Sequence, residues 1–355
     1  MWGRAYFKSD LAEVYVEGPV AEDLGDVVRH VERGGVAVGL FVFEEAFWDS
    51  ASAVRRRAAW PGNLFILGRA VSPPARRGGC RGVRLGGLPE GEFLRAVAAA
   101  KEALARGEVF QLVLARFEKY EVDCGAFELL SSLSRYADGR YYFALEVDGL
   151  ALAGVSPEVL ARVEGRRVLS GPIGGTRPRG ASPAEDSALE RELVESVKER
   201  AEHVMLVDSV RNDLGRVCAW GSVRPLEVLK VEKYSYVQHL VSYVECVLDK
   251  RHRPLDVVRA LNPTTTVSGV PKPRALELIS QLEPEPRGPF AGSVGIATRG
   301  ILDFAVVIRS IYAEGSTAYV WAGAGVVMDS DPVKELRETE VKMSPLKRAL
   351  GAPSS

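Results

Sequence analysis

Two carboxylate doublets, Glu199/Glu202 and Glu335/Glu338, carry the clearest chemistry in this chain of 355 residues. Each pair is spaced i,i+3, so on a helix both side chains share one face. Like charges that close repel, and a chain keeps such a face either in open water or around a cation. Two converging doublets would make an oxygen-rich site of the kind Mg2+ accepts, with water or substrate oxygens completing its shell. A lone doublet is more often a solvated helix face, so the surrounding sequence has to decide.

Other stretches could bind or move charge. GPIGGTRPRG (171–180) offers backbone N–H groups and the guanidinium groups of Arg177 and Arg179, a combination suited to a carboxylate or phosphate. It lacks the G-K-[ST] of a phosphate loop and, taken alone, reads as a turn. The glycines of AGAG (322–325), placed after a strand, allow close backbone approach to a ligand, or simply close packing. Arg309 sits inside the apolar strand VVIRS, where a guanidinium needs a carboxylate of the protein or of a ligand. His239 lies among apolar residues, a setting commoner for a satisfied core histidine than for a catalyst. His203, beside Glu202, reads as structural, and His30 and His252 fall in charged segments. NPTTTVSGVPKPRALELI (262–279) passes from hydroxyls through Pro271 into a helix whose N-terminus could receive an anion.

The elements that must carry these groups follow from periodicity. Residues 1–85 alternate short apolar strands with turns (12–16, 36–43, 64–67), and 72–82 looks like a connector. Glu90 to Arg106 has helical spacing with Gly107 as its C-cap. Strands are expected over 109–117, on either side of the turn Asp148-Gly149, and over 294–296, 304–312 and 318–322. The first doublet falls on one long helix, 184–207; a second helix covers 271–282 with Pro271 near its first turn; the second doublet falls on a helix over 332–350. Strands and helices mix without strict alternation, which indicates an α+β fold with largely antiparallel sheets.

Composition narrows the function. The net charge of −1 gives no electrostatic case for nucleic acid or an acidic membrane. The longest apolar run, Val36 to Phe43, is strand length and too short to span a bilayer. The first residues carry early charges and no signal-type apolar core, so a cytoplasmic protein is expected. Four cysteines without paired spacing suit reduced core thiols better than disulfides or zinc. Three Asn and three Gln in the whole chain match the amide-poor, ion-rich bias of heat-adapted proteins, a bias that a GC-rich genome also produces.

In order along the chain, AKEALARGEVFQLVLAR (100–116), SPE (156–158), GPIGGTRPRG (171–180), KERAEHVMLVDSVRNDLGRV (198–217), YSYVQHLVS (234–242), TVSGVPKPRALELI (266–279), RGPFAGSVG (287–295), DFAVVIRS (303–310) and AGAGVVMDSDPVKELRETEVK (322–342) resemble the chorismate-utilising enzymes, most closely the large subunit of anthranilate synthase. The resemblance runs from about residue 88 to the end. It implies a two-layer antiparallel β-sheet sandwich flanked by helices, with residues 86–355 as the chorismate-binding core and 1–85 as a short region packed on it.

Carried over residue by residue, the resemblance implies Mg2+ held directly by Glu202 and Glu338, with Glu199 and Glu335 acting mostly through water. Arg309 and the backbone of Gly323, Ala324 and Gly325 would hold the enolpyruvyl carboxylate. Thr266, Thr176 and Phe290 would line the substrate. Glu158 would protonate the departing 4-hydroxyl, His239 would assist loss of pyruvate, and Lys342 would neutralise charge beside the metal. Relatives that add water carry a lysine at the place of Gln111, which cannot deprotonate water. Relatives that stop at aminodeoxychorismate often carry a lysine at the place of Gly174. Both positions here imply ammonia as nucleophile, supplied by a glutamine amidotransferase subunit, since no glutaminase machinery is visible.

The chain departs from the family pattern in four places. Phe290 replaces a tyrosine and Thr265 a glycine. RYADGRYYF (135–143) replaces the N-P-S-P string, and the L-L-E-S string tied to feedback inhibition is absent. These departures place tryptophan sensitivity, but not the chemistry, in question.

Overall fold

The computed structural model describes residues 1–44, 63–71 and 78–352, and builds them into two antiparallel sheets. The first runs Ala70–Val71, Glu13–Ala21, Trp2–Lys8, Tyr141–Val147, Leu150–Ser156, Ser310–Glu314, Thr317–Val326 and Gln111–Val122, with Gly82–Gly87 and Gly269–Val270 pairing the last strand's far side. The second runs Leu64–Gly68, Val36–Phe41, Ser293–Ala297, Ile301–Val306, Val159–Glu164 and Arg167–Gly171. It continues to Val237–Val247, flanked by Ile173–Pro178 and Arg224–Lys233. The α+β sandwich is as expected. Strands from the first 85 residues enter both layers: Trp2–Lys8 pairs with Tyr141–Val147, and Val36–Phe41 with Ser293–Ala297.

The expected two-residue hairpin is present, with Asp148 at φ 42° and Gly149 at φ 82°, the left-handed pair that matches strand twist. On one face of the second sheet, Phe41 meets Phe65 and Phe304 edge-on, with ring centroids 5.4 and 5.9 Å apart. Each such buried ring contributes roughly 1.5–3 kcal/mol. A polar cluster occupies the opposite face of the same sheet, toward the first. The fully buried Asp303 accepts from Arg162 at 3.2 Å and, across the sandwich, from the Tyr141 hydroxyl at 2.9 Å.

Several boundaries differ from expectation. The long helix over 184–207 is two, Pro183–Glu195 and Val197–Gly215, broken at Ser196, which leaves helical geometry (ψ 111°) and uses its Oγ to cap Glu199 N–H. The string 171–180 is not a loop: Ile173–Pro178 is a strand whose bulge at Gly175 (φ 69°) lets glycine-rich sequence pair with Val237–Val241. The single strand over 304–312 is also two, Ile301–Val306 and Ser310–Glu314, and Arg309 lies in the break rather than inside a strand. AGAG lies within Thr317–Val326, not after it. Pro271 is the N-cap of Lys272–Leu282. The connector over 72–82 falls partly outside the described residues. No helix among the described residues is long and apolar enough to cross a membrane.

The cysteine expectation is overturned outright: Cys80 is bonded to Cys124 and Cys218 to Cys246, 44 and 28 residues apart. Linear spacing hides what register supplies. Gly82 pairs with Val122, so continuing that antiparallel register outward sets residue 80 opposite 124. Cys218 bridges Leu248, two residues from its partner. Reduction is expected to lower unfolding free energy by about 2–4 kcal/mol per bridge, read as a fall in the denaturant midpoint. Thiol titration of the unreduced native protein should find none; four reactive thiols and an unchanged midpoint would refute the pairing.

Candidate active site

The chain changes sheets twice at one place. Leu150–Ser156 belongs to the first layer and Val159–Glu164 to the second, so Pro157 and Glu158 make the crossing. Ile301–Val306 and Ser310–Glu314 make the reverse crossing through Val307 to Arg309. The two crossings lie side by side, bonded by Val306 N–H to Glu158 C=O at 3.1 Å and Val155 N–H to Arg309 C=O at 3.2 Å. Glu158 and Arg309 are therefore set close together from positions 151 residues apart in number. Arg309 has φ 50°, a left-handed conformation that costs a non-glycine residue on the order of 1 kcal/mol and that its two anchored strands enforce.

Glu158 is 3% exposed, and burial pushes its carboxyl up to about 7. The Thr266 hydroxyl, donating to Oε1 at 2.6 Å, opposes this, as do a backbone hydrogen bond at Ile173 and the charge of Lys342. The result is a carboxylic acid that can hold a proton near neutrality.

Arg309 is partly buried, and desolvation disfavours its charge. Among the described residues no carboxylate lies within ion-pair distance of it. Its Nη2 instead donates to His239 Nε2 at 2.9 Å. Guanidinium can only donate, so Nε2 must accept, which assigns the proton to Nδ1, 2.9 Å from Thr176 Oγ1. Burial, reinforced by Arg309, lowers the His239 pKa to about 3, so the imidazole is neutral. The structure thus brings His239, Thr176 and Arg309 into one chain of hydrogen bonds, and the Tyr234 ring packs edge-on to His239 at 5.9 Å.

The crossing at Arg309 also opens a sheet edge. Ile311 is paired with Val320, so the residues that would have faced 322–326 have left for the other layer. In an antiparallel ladder a residue's N–H and C=O point the same way. Val113 and Ala115, opposite Gly325 and Gly323, turn their N–H groups to Ser268 C=O and Glu283 Oε1 instead of to those glycines. Gly323 and Gly325 therefore aim their amides at the uncovered edge, beside the Arg309 crossing. Ala324 points back to its strand partner. Lys342 Nζ already takes Gly323 C=O at 2.9 Å. A Cβ on Gly325 would lie 2.8 Å from Gln111 Nε2, so glycine there admits the Gln111 amide, whose buried Oε1 has no hydrogen-bond partner.

The four glutamates occupy two helices, Val197–Gly215 and Pro332–Ala349. Burial raises the Glu202 pKa, and the charges of Glu199, Glu335 and Glu338 raise it further against Lys198. Burial and Glu338 likewise raise Glu335, with Ser330 opposing. Three of the four lean on a nearby cation: Glu199 on Arg177 at 3.0 Å, Glu202 on Lys198 at 3.7 Å, Glu338 on Lys342 at 2.6 Å. Glu202 Oε1 is buried without a donor. Among the described residues no three acidic, histidine or cysteine side chains stand close enough to grip an ion as they are.

Phe290 is buried and stacks on Trp321 at 5.7 Å, which makes its ring part of the core wall. Gly174 faces away from the hydroxyl of Thr176: a Cβ there would lie 2.9 Å from His203 Nδ1 and 3.1 Å from Leu206. His203 is fully buried and bonded to Ser242, in keeping with its structural reading. Sequence reasoning passed over Ser330 and Tyr234, polar residues whose roles come only from neighbours distant in sequence, and read Arg177 as an anion binder where it pairs with Glu192 and Glu199.

The family profile for chorismate binding enzyme matches residues 86–348. Anthranilate synthase component 1 of Saccharolobus solfataricus is 45% identical over 265 residues, covering 74% of this chain and 63% of that protein. Its counterpart in Thermus thermophilus is 42% identical over 286 residues, 80% of this chain and 62% of that protein. The chain thus spans less than two-thirds of the length of these curated relatives. Among solved structures, anthranilate synthase component I from Streptococcus pneumoniae has a TM-score of 0.80 at 25% identity, covering 97% of this chain and 90% of that one. The menaquinone-specific isochorismate synthase of Escherichia coli shares the fold, with a TM-score of 0.82 at 22% identity over 98% of this chain and 88% of that one.

Arg309 and the buried Arg162 should respond unequally to truncation. Arg309→Met, which abandons no carboxylate, is expected to stay within about 1 kcal/mol of native stability, whereas Arg162→Met strands Asp303 and should lose roughly 3–5 kcal/mol. Urea unfolding decides; equal losses would show that Arg309 has a protein counter-ion after all.

Proposed function

The chain belongs to the chorismate binding enzymes, and from that membership we propose that it is an anthranilate synthase component I, converting chorismate and ammonia to anthranilate and pyruvate. The observation that carries this reading is the double crossing: a protonatable Glu158 and an unpaired Arg309, fixed to one another by backbone hydrogen bonds. Chorismate carries two carboxylates, an enolpyruvyl ether and a 4-hydroxyl, and each finds a counterpart.

The enolpyruvyl carboxylate takes Arg309 as its cation and the free amides of Gly323 and Gly325 as donors. Glu199, Glu202, Glu335 and Glu338 would hold Mg2+, with Glu202 and Glu338 as its direct ligands and Glu199 and Glu335 acting mostly through water. The orphaned Glu202 oxygen and the mutual repulsion of these carboxylates fit a divalent cation, which relieves both. When bound, Mg2+ supplies positive charge for the ring carboxylate.

Glu158 gives its proton to the departing 4-hydroxyl as ammonia bonds to C2 and the double bonds shift, so the oxygen leaves as water. Aromatisation then requires loss of the C2 proton as the C3–O bond breaks. His239, held neutral with Nε2 as its acceptor, is suited to take that proton once a carboxylate draws Arg309 away. The expelled enolate of pyruvate picks up a proton at carbon to give pyruvate. Gln111 offers no base for water and Gly174 no amine for a covalent adduct, which supports ammonia as the direct nucleophile. The four cysteines of the chain are paired, so release of ammonia from glutamine is assigned to a separate amidotransferase subunit.

Chorismate with ammonium and Mg2+ is expected to yield the blue fluorescence of anthranilate. Chorismate consumed without that product would overturn the assignment in favour of the aminodeoxychorismate route. At constant free ammonia, kcat should hold on the acid side of about 7 and fall on the basic side as Glu158 loses its proton. Glu158→Gln should lower kcat by about 10²–10⁴-fold. In Glu202→Gln, calorimetry should show weakened Mg2+ binding; wild-type affinity would remove Glu202 from the metal set.

A further inference from the structure

Arg287 is the bulkiest fully buried side chain in the described structure, and nothing in the proposed chemistry uses it. Its guanidinium is fully engaged. Nε and Nη2 reach the two oxygens of Glu283 at 2.8 and 2.5 Å, Nη1 donates to Val267 C=O at 2.7 Å, and Nη2 to Val113 C=O at 2.8 Å. Phe43 covers its plane at 4.6 Å, with Phe290 at 5.9 Å. Glu283, just past the helix Lys272–Leu282, also accepts Ala115 N–H at 2.8 Å.

These contacts converge on one short segment. Val267 is the residue after Thr266, and its carbonyl is pinned by Arg287. The next carbonyl, Ser268 C=O, accepts Val113 N–H at 2.9 Å. The Thr266 hydroxyl, the donor to Glu158, is thus carried on a segment fastened at two successive peptides to the strand Gln111–Val122. The same pair occupies the outward groups of Val113 and Ala115, directly behind the glycines that open the sheet edge.

We propose that Arg287 and Glu283 form a positioning pair that sets Thr266 against Glu158 and holds the rear of the Gly323–Gly325 edge. The proposal rests on the reading of Glu158 as the proton donor. A planar fork is required, because four acceptors in one plane cannot be met by the single point charge of a lysine.

The groups that face Glu158 are the Thr266 hydroxyl, the backbone at Ile173 and the charge of Lys342. Only the first depends on Arg287. Loosening it removes a donor that favours the carboxylate, so Glu158 should hold its proton to higher pH.

Arg287→Lys is therefore expected to move the basic limb of the kcat profile upward and to lower kcat about 10- to 100-fold. KM for chorismate should stay within about twofold. Thr266→Val should produce the same upward limb shift, and the double variant no more than either alone. A variant that only lowers Tm, with limb and kcat as in wild type, would make the pair a stabilising bolt and overturn the proposal. If Arg287→Lys does not accumulate as folded protein, Glu283→Gln gives the same readout. Titration of the Glu158 carboxyl by carbon-13 NMR, in wild type and variant, tests the linkage without turnover. An unmoved titration refutes it, whereas wild-type protein that titrates as described yet makes no anthranilate refutes the functional reading instead.

Discussion

Two adjacent strand pairs leave one layer of the sandwich and enter the other at the same point, and the rest of the site depends on that shared crossing. Backbone hydrogen bonds between the two crossings fix Glu158 and Arg309 relative to one another. The departure of the Arg309 segment also strips Thr317–Val326 of its neighbour beyond Val320. One topological event thus supplies the acid, the cation and the free amides. The left-handed backbone of Arg309 is the local strain that goes with it.

The charges of the site are unbalanced in three ways. Arg309 is half-buried with no carboxylate within ion-pair distance among the described residues, Glu158 is driven toward its neutral form, and the glutamates of the two helices raise the Glu202 pKa. Each is unfavourable on its own, and a ligand of opposite sign relieves the first and the last. Stability comes from elsewhere: the aromatic cluster on the second sheet, the Arg162–Asp303–Tyr141 cluster, the Arg287–Glu283 pair and two disulfides. The paired arginines are structural where their carboxylates are the protein's own. The unpaired one is free for chemistry.

Much of this could be read in the sequence, for identifiable reasons. Glutamates at i,i+3 declare a helix face locally, and the Asp148-Gly149 turn and the helix ending at Gly107 are written in neighbouring residues. What failed was non-local. The disulfides depend on strand register, which no spacing between cysteines reveals. The break at Ser196 turns on a serine choosing to cap rather than continue a helix, and both choices suit serine. Arg309 looked like a strand residue because its apolar neighbours belong to two different strands, one in each layer. Arg287 went unnoticed because, beyond the nearby Glu283, its acceptors are backbone carbonyls of two segments distant in sequence.

The open edge at Gly323 and Gly325 amounts to a missing strand. Exposed ladder groups of this kind ordinarily invite another chain to add on. Here the gap is about two residues long, with Lys342 on the Gly323 carbonyl and the partner strand's outward groups already bonded, a size that suits the carboxylate of the proposed function. A bound carboxylate is, in hydrogen-bonding terms, the last piece of the sheet. Occupancy should then be recorded in the backbone itself, as slowed amide exchange at two glycines, quite apart from any product formed.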